Sequence, residues 1–266
     1  NLELPVELTN ALDDVSDCGC GKPVARQRGV ALPSAAVLAS QDVSRDGRWL
    51  ASRDDLYRET LLVAPGQDHE RDLSWLDLTY AVALTPDNRT FLFTEENGAL
   101  GPNYSACLRG TDGSAVVRLG DGTATDISRD GKWALAVIPS VPQQRLVLYP
   151  TGPGAPRRPE PGPIVSYETA QLFPDGQKLF VCGHEAATAV RCYTQPIGGK
   201  PRPITPPGST DGFVSPDGRR VLVREGGSLR LYPAEGGAGR TVPGTTAADL
   251  GHRWTGDGRA VLACSS

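Results

Sequence analysis

Methionine is absent from the 266-residue chain, histidine occurs three times and lysine only four times against 23 arginines. At its usual share methionine would appear about six times, so its absence is expected of a mature or trimmed chain, and the arginine bias of a GC-rich bacterial genome. No long apolar run is present: the longest charge-free, weakly apolar stretch, Val30 to Ser40, contains Pro33 and is about half a bilayer crossing, which excludes a transmembrane helix. Long charge blocks are missing too. With 27 basic and 31 acidic residues and a net charge of −4, no stripe is available to neutralise phosphates or anionic lipid. Asn1 to Asp14 carries acidic residues where a signal peptide needs a basic segment and an apolar run, so none is expected there. The catalytic signatures are equally sparse. His69, His184 and His252 show no zinc spacing. No Gly-x-Ser-x-Gly elbow occurs, the serine of Gly208-Ser-Thr-Asp-Gly212 standing one place too early, and no Asp-x-Asp-x-Asp-Gly calcium loop is found.

What is plentiful is glycine and proline, 31 and 23 residues, which break long helices and supply tight turns. An all-α fold is excluded, while the apolar content suffices for a core. The architecture is set by a repeat. Six segments align without a gap: Asp42 to Ala51, Ala83 to Leu92, Asp126 to Leu135, Gln171 to Phe180, Phe213 to Leu222 and Arg253 to Leu262. Each reads as strand, Asp-Gly or Asp-Asn turn, strand, with glycine or asparagine supplying positive φ and the aspartate capping its own turn. Those aspartates, Asp46, Asp87, Asp130, Asp175, Asp217 and Asp257, recur at roughly 40–45 residues, the period of one four-stranded propeller blade, and are read as caps rather than catalytic acids.

Third strands are expected at Leu56–Val63, Tyr104–Arg109, Arg145–Tyr149, Val190–Thr194 and Ser228–Tyr232, each followed by a glycine-rich turn and a short fourth strand. The sixth repeat ends after its second strand. The fold expected is therefore an all-β six-bladed propeller with four antiparallel strands per blade. It forms one domain over residues 1–266, with Leu4–Leu12 and Lys22–Arg26 completing the last blade and removing the open edges.

The repeated Ser-Pro-Asp-Gly hairpin resembles the blade motif of TolB-like six-bladed propellers. The segments Glu70 to Asp77, Gly101 to Tyr104, Leu108 to Ser114 and Arg118 to Gly122 are similar to propellers appended to bacterial Ser/Thr kinases or winged-helix regulators. That resemblance implies a sensory or protein-binding module. A propeller's function lies in its loops, and here the longer connections fall on one face: Glu95–Asn103, Ile138–Gln144, Gly183–Ala189, and the links Trp75–Tyr80, Ile164–Glu168, Ser209–Gly212 and Asp249–His252. The candidate mouth residues are Trp75, Asp77, Tyr80, Tyr167, Glu168, Asp211, His252 and Arg253. The competing reading packs Trp75 and the tyrosines between blades and leaves the charges solvated.

The expected function is non-enzymatic binding of a protein or peptide on that face within a bacterial signalling protein, with no cofactor, nucleic acid or membrane insertion. Two enzymatic alternatives stand beside it. One is a lactonase-like hydrolase with a central divalent ion on Asp42, Asp126 and Asp211, although the equivalent positions Ala83, Gln171, Phe213 and Arg253 make no oxygen cage. The other is the gating propeller of a prolyl-oligopeptidase-like peptidase. Among six cysteines, Cys182 and Cys192 lie on neighbouring strands in register for a disulfide, Cys107 and Cys264 read as apolar fillers, and Cys18-Gly-Cys20 is too short a signal for metal. The count leaves extracytoplasmic and cytoplasmic locations open, with the extracytoplasmic one preferred.

Overall fold

The repeated turn is built the same way in four of the described repeats. In Thr85 to Thr90 the Thr85 hydroxyl donates to Asp87 Oδ1 at 2.6 Å, that oxygen accepts the Arg89 amide at 3.1 Å, and the Thr90 amide returns to Thr85 Oγ1 at 3.1 Å. Ser128 with Asp130, Ser215 with Asp217 and Thr255 with Asp257 repeat the hydroxyl–carboxylate contact at 2.6–2.7 Å. The next residue takes positive φ: Asn88 at 56°, Gly131 at 69°, Gly218 at 69° and Gly258 at 68°. In the Phe173 to Lys178 turn the apolar Phe173 is buried instead, and Asp175 keeps only the Gln177 amide, at 2.9 Å. Hydrogen bonding to the charged form holds Asp87, Asp130, Asp217 and Asp257 below the usual carboxylate range, the hydroxyl contact being the largest cause at each.

These turns organise a computed structural model that describes residues 37–43, 48–54, 57–96, 100–246 and 249–265. Two compact units divide the chain, residues 1–55 and 56–266. In the first, strands β1 (Val37–Val43) and β2 (Trp49–Asp54) form an antiparallel pair. The second unit begins with a small pair, β3 (Leu61–Leu62) and β4 (Arg71–Asp72). Among the described residues there are three four-stranded antiparallel sheets. One runs through β5 (Thr79–Leu84), β6 (Thr90–Glu95), β7 (Ser105–Gly110) and β8 (Val117–Asp121). Between it and the next lies a three-stranded sheet, β9 (Thr123–Ile127), β10 (Trp133–Ile138) and β11 (Arg145–Pro150). The second four-stranded sheet holds β12 (Ile164–Leu172), β13 (Lys178–Glu185), β14 (Arg191–Pro196) and β15 (Arg202–Pro203). The third holds β16 (Ser209–Val214), β17 (Arg220–Glu225), β18 (Ser228–Pro233) and β19 (Arg240–Thr241). A final pair, β20 (Asp249–Trp254) and β21 (Val261–Ser265), ends the chain. No α-helix occurs among the described residues, and they hold no helix long and apolar enough to cross a membrane.

The fold is an all-β propeller, and its second strands show why. In β10, Leu135 and Val137 enter one core cluster with Leu146, Ile164, Leu179 and Val181, while Ala134 and Ala136 enter another with Leu92, Ala106 and Ala124. Period-two alternation thus sends large side chains to the following sheet and small ones to the preceding sheet, and both faces are dry. The same alternation, with sizes differently distributed, places Phe91 and Phe93 in the preceding seam with Leu73 and Leu92 in the following one, and Val221 and Val223 in the preceding seam with Phe173 and Phe180. Leu222 joins Leu229 and Trp254 in the last seam.

Two expectations are modified. The third strand placed at Leu56–Val63 is reduced to Leu61–Leu62, whereas the other third strands fall within one residue of their expected starts. Beyond β11 the outer position holds a single bridge, Leu148 to Arg157, because the segment there carries Pro153, Pro156, Pro159, Pro161 and Pro163, which cannot donate to a ladder. The strands expected at Leu4–Leu12 and Lys22–Arg26, and the pair Cys18 and Cys20, lie outside the described residues. Cys182 and Cys192, register partners on β13 and β14, are joined in a buried disulfide with Cα atoms 4.0 Å apart. Cys107 is a buried free thiol whose pKa burial pushes up to about 12.

Candidate functional site

The innermost strand of each hairpin carries an irregularity that its partner lacks. Register shifts leave Val82 extra in β5, Thr125 in β9, Glu168 in β12, Asp211 in β16 and His252 in β20, with Gln41 in the same role in β1. Such bulges re-aim side chains and end pairing at barrel rims and binding mouths. Three candidate residues, Glu168, Asp211 and His252, are therefore bulge residues of successive inner strands. Glu168 and Asp211 are exposed, and Asp211 takes φ of 42° between strand partners.

Below the bulges the inner strands are clasped to one another by side chains. Asp126 accepts the Ile127 amide at 2.8 Å on one oxygen and the Leu172 amide of β12 at 2.7 Å on the other. Gln171 Oε1 accepts the Val214 amide of β16 at 3.1 Å, and Trp254 Nε1 donates to the Phe213 carbonyl at 3.0 Å. Burial pushes the Asp126 carboxyl up to about 6, against the opposing pull of its two amide donors and of the Arg253 charge. Asp126 and Gln171 are thus structural clasps. Arg253 reaches Asp126 electrostatically from β20 and lies exposed.

At the end of the sheets where second strands pass to third strands, Glu95 is a buried carboxylate that sequence reading missed. It accepts the Leu76 amide at 3.3 Å, the Leu78 amide at 3.2 Å and the Thr79 hydroxyl at 2.7 Å, and so fixes the link that presents Trp75, Asp77 and Tyr80. Trp75 lies half-buried, edge-on to Phe93 at 6.4 Å and 80°, and acts as packing. Asp77 accepts the Arg58 amide through its carbonyl at 2.9 Å. Tyr80 is half exposed, with the Arg58 guanidinium 5.1 Å from its ring centre. On the next two four-stranded sheets the matching glutamates end β13 and β17. Glu185 accepts from Arg191 at 2.9 Å and Tyr193 at 3.0 Å, and Glu225 accepts the Tyr232 hydroxyl.

Tyr167 corrects the sequence reading. It is buried in the core with Leu146 and Ile164, its hydroxyl has no hydrogen-bond partner among the described residues, and burial pushes its pKa up to about 12. Shifts on both sides of it, at Val165 and Glu168, turn it inward. Three of the four expected links, Ile164–Glu168, Ser209–Gly212 and Asp249–His252, are strand, because the ladder extends to the start of each repeat. Among the described residues no three His, Cys, Asp or Glu side chains come together as metal ligands.

No protein-family model matches this chain, and no curated protein sequence matches it. Solved structures do. A putative TolB from Agrobacterium tumefaciens aligns over 78% of this chain and 81% of its own at 13% identity and a TM-score of 0.58. An oligogalacturonate lyase from Vibrio parahaemolyticus aligns over 77% and 65% at 15% identity and a TM-score of 0.57. TolB from Acinetobacter baumannii aligns over 65% of this chain at 21% identity and a TM-score of 0.50, and the match spans 47% of that protein, about half its length. At these identities the likeness is one of fold. Sheet seams, inner-strand bulges and these neighbours together make the chain a β-propeller, similar in fold to the TolB structures.

Proposed function

We propose that this propeller is a non-enzymatic binding module that takes a protein or peptide on its loop-bearing face, as the sensory or scaffolding part of an extracytoplasmic bacterial signalling protein. The observation that carries this reading is the placement of the exposed tyrosines. Tyr57, Tyr80, Tyr104 and Val141 are 74%, 50%, 40% and 98% exposed, and all four stand at the loop end of consecutive repeats. Exposed tyrosines combine apolar area with a polar tip at small entropic cost and are typical interface anchors. Glu168, Asp211 and His252 at the bulges, with Asp77 and Arg253, would supply the polar contacts beside them. The Cys182–Cys192 disulfide supports an oxidising compartment.

The test is site-directed photocrosslinking in the native host. A benzophenone side chain at Tyr104 is expected to give a discrete protein adduct, and one at Arg219, in a turn at the opposite end of the sheets, is not. Equal labelling from both positions, or turnover by the purified protein on oligosaccharide or peptide substrates, would overturn the reading. The proposal also keeps all 266 residues in one six-bladed ring. Small-angle scattering should then give a radius of gyration of about 18 Å, as for one globular domain of this length.

A further inference from the structure

The three-stranded sheet leaves a cleft at the other end of the molecule from the tyrosines. Where β11 lacks a paired outer strand, the turn that follows it stands away from β8 of the preceding sheet and opens a space of about 440 Å³, lined by Val117, Leu119, Tyr149, Pro150 and Pro156 with Arg118 at its edge. That volume is in the range of binding pockets. Tyr149 forms the floor: its ring lies so close to Gly120 that a Cβ there would sit 2.4 Å from it, and its hydroxyl donates to the Asp121 carbonyl at 2.8 Å.

The charges around this floor are unequal. Arg118 is held by the Ser105 hydroxyl at 3.0 Å and by Asp121, which balances it. The neighbouring pair is split. Arg157 stacks on Trp133 at 4.1 Å and closes the Leu148 bridge, whereas Arg158 is exposed and makes no hydrogen bond or ion pair among the described residues. Arg158 nevertheless acts on the Tyr149 phenol, as Arg118 does. Arg158 shares a strand face with Pro156 of the lining, two residues before it, so the aliphatic and aromatic floor lies beside one uncompensated guanidinium, and the cleft is bordered by β8, the outer strand of its sheet.

We propose that this cleft docks an extended peptide segment of a partner protein in which a carboxylate side chain adjoins aliphatic ones. The aliphatic groups lie against Val117, Leu119 and Tyr149, and the carboxylate meets Arg158. This site is independent of the loop-face reading and stands or falls separately.

The probe is the tripeptide N-acetyl-Leu-Asp-Leu-amide, titrated at millimolar concentration by NMR, with N-acetyl-Leu-Asn-Leu-amide as control. Expected are saturable shifts at the amides of Gly152 and Gly154 and the methyls of Val117 and Leu119, with the Asn peptide about fivefold weaker, the factor one exposed ion pair can supply. Arg158→Ala, a change at an exposed side chain, should remove that preference and leave the Asn peptide's binding unchanged. Equal binding of both peptides, shifts spread outside the cleft, or none at these residues would overturn the proposal.

Discussion

At the scale of single residues, the turn position after each aspartate shows what the backbone demands. Gly131 has φ of 69°, and a Cβ placed there would meet only Thr85 Cγ2 at 3.8 Å. Space is not the constraint; conformation is. Gly131→Ala should destabilise the protein by about 1 kcal/mol in denaturant melts, and Gly131→Asn by less, because Asn88 already tolerates φ of 56° in the same place. Asp126 behaves oppositely to the turn aspartates. Its folded-state pKa is raised to about 6, so falling pH favours the folded form as it takes up a proton between about pH 6 and the unfolded value near 4. Carbon-detected NMR should find its carboxyl titrating near pH 6, above Asp87, Asp130, Asp217 and Asp257. The turn aspartates were legible because the motif is local. Asp126 was not, since its partner Leu172 lies a whole repeat away and the equivalent positions hold unrelated side chains.

Among elements, the strands whose two faces are buried were the easiest to place, and the inner strands the hardest at their starts. β13 and β17 carry unbroken apolar runs, Leu179 to Cys182 and Val221 to Val223, and each strand ends on a glutamate. The start of β12 is disguised by Pro161 and Pro163, yet Ile164 is fully buried and already paired with Glu185. Bulges leave no sequence mark, because an extra residue in one strand is defined only by its partner. Glu95 was missed for a related reason: a carboxylate at a strand end reads as solvated until the link folding back on it is known. Glu95→Ala should strand the partly buried Leu76 and Leu78 amides and the buried Thr79 hydroxyl and cost about 2–4 kcal/mol in chemical unfolding. Loosening that link should also raise amide exchange from Trp75 to Tyr80. A loss below 1 kcal/mol would show that the link is held by other contacts.

For the whole molecule, repetition turns small local effects into a shared one. The four capped turns have carboxyl pKa values lowered in the folded state, so the stability they contribute is fully present above about pH 4 and is lost as pH falls through those lowered values. Acid unfolding should therefore set in below about pH 4, and thermal melts should be nearly flat from pH 5 to 7, where Asp126 works in the other direction. A midpoint falling steeply between pH 7 and 5 would contradict this.

The apolar seams have one more consequence. Each core cluster is drawn from two adjacent sheets and no cluster spans three, so stability is shared between neighbours in the manner of a linear array. A sheet cannot melt without uncovering a face of the one on either side. The cooperative quantum of unfolding is accordingly the seam rather than the sheet, and damage introduced at one of them should travel outward in steps of one neighbour at a time.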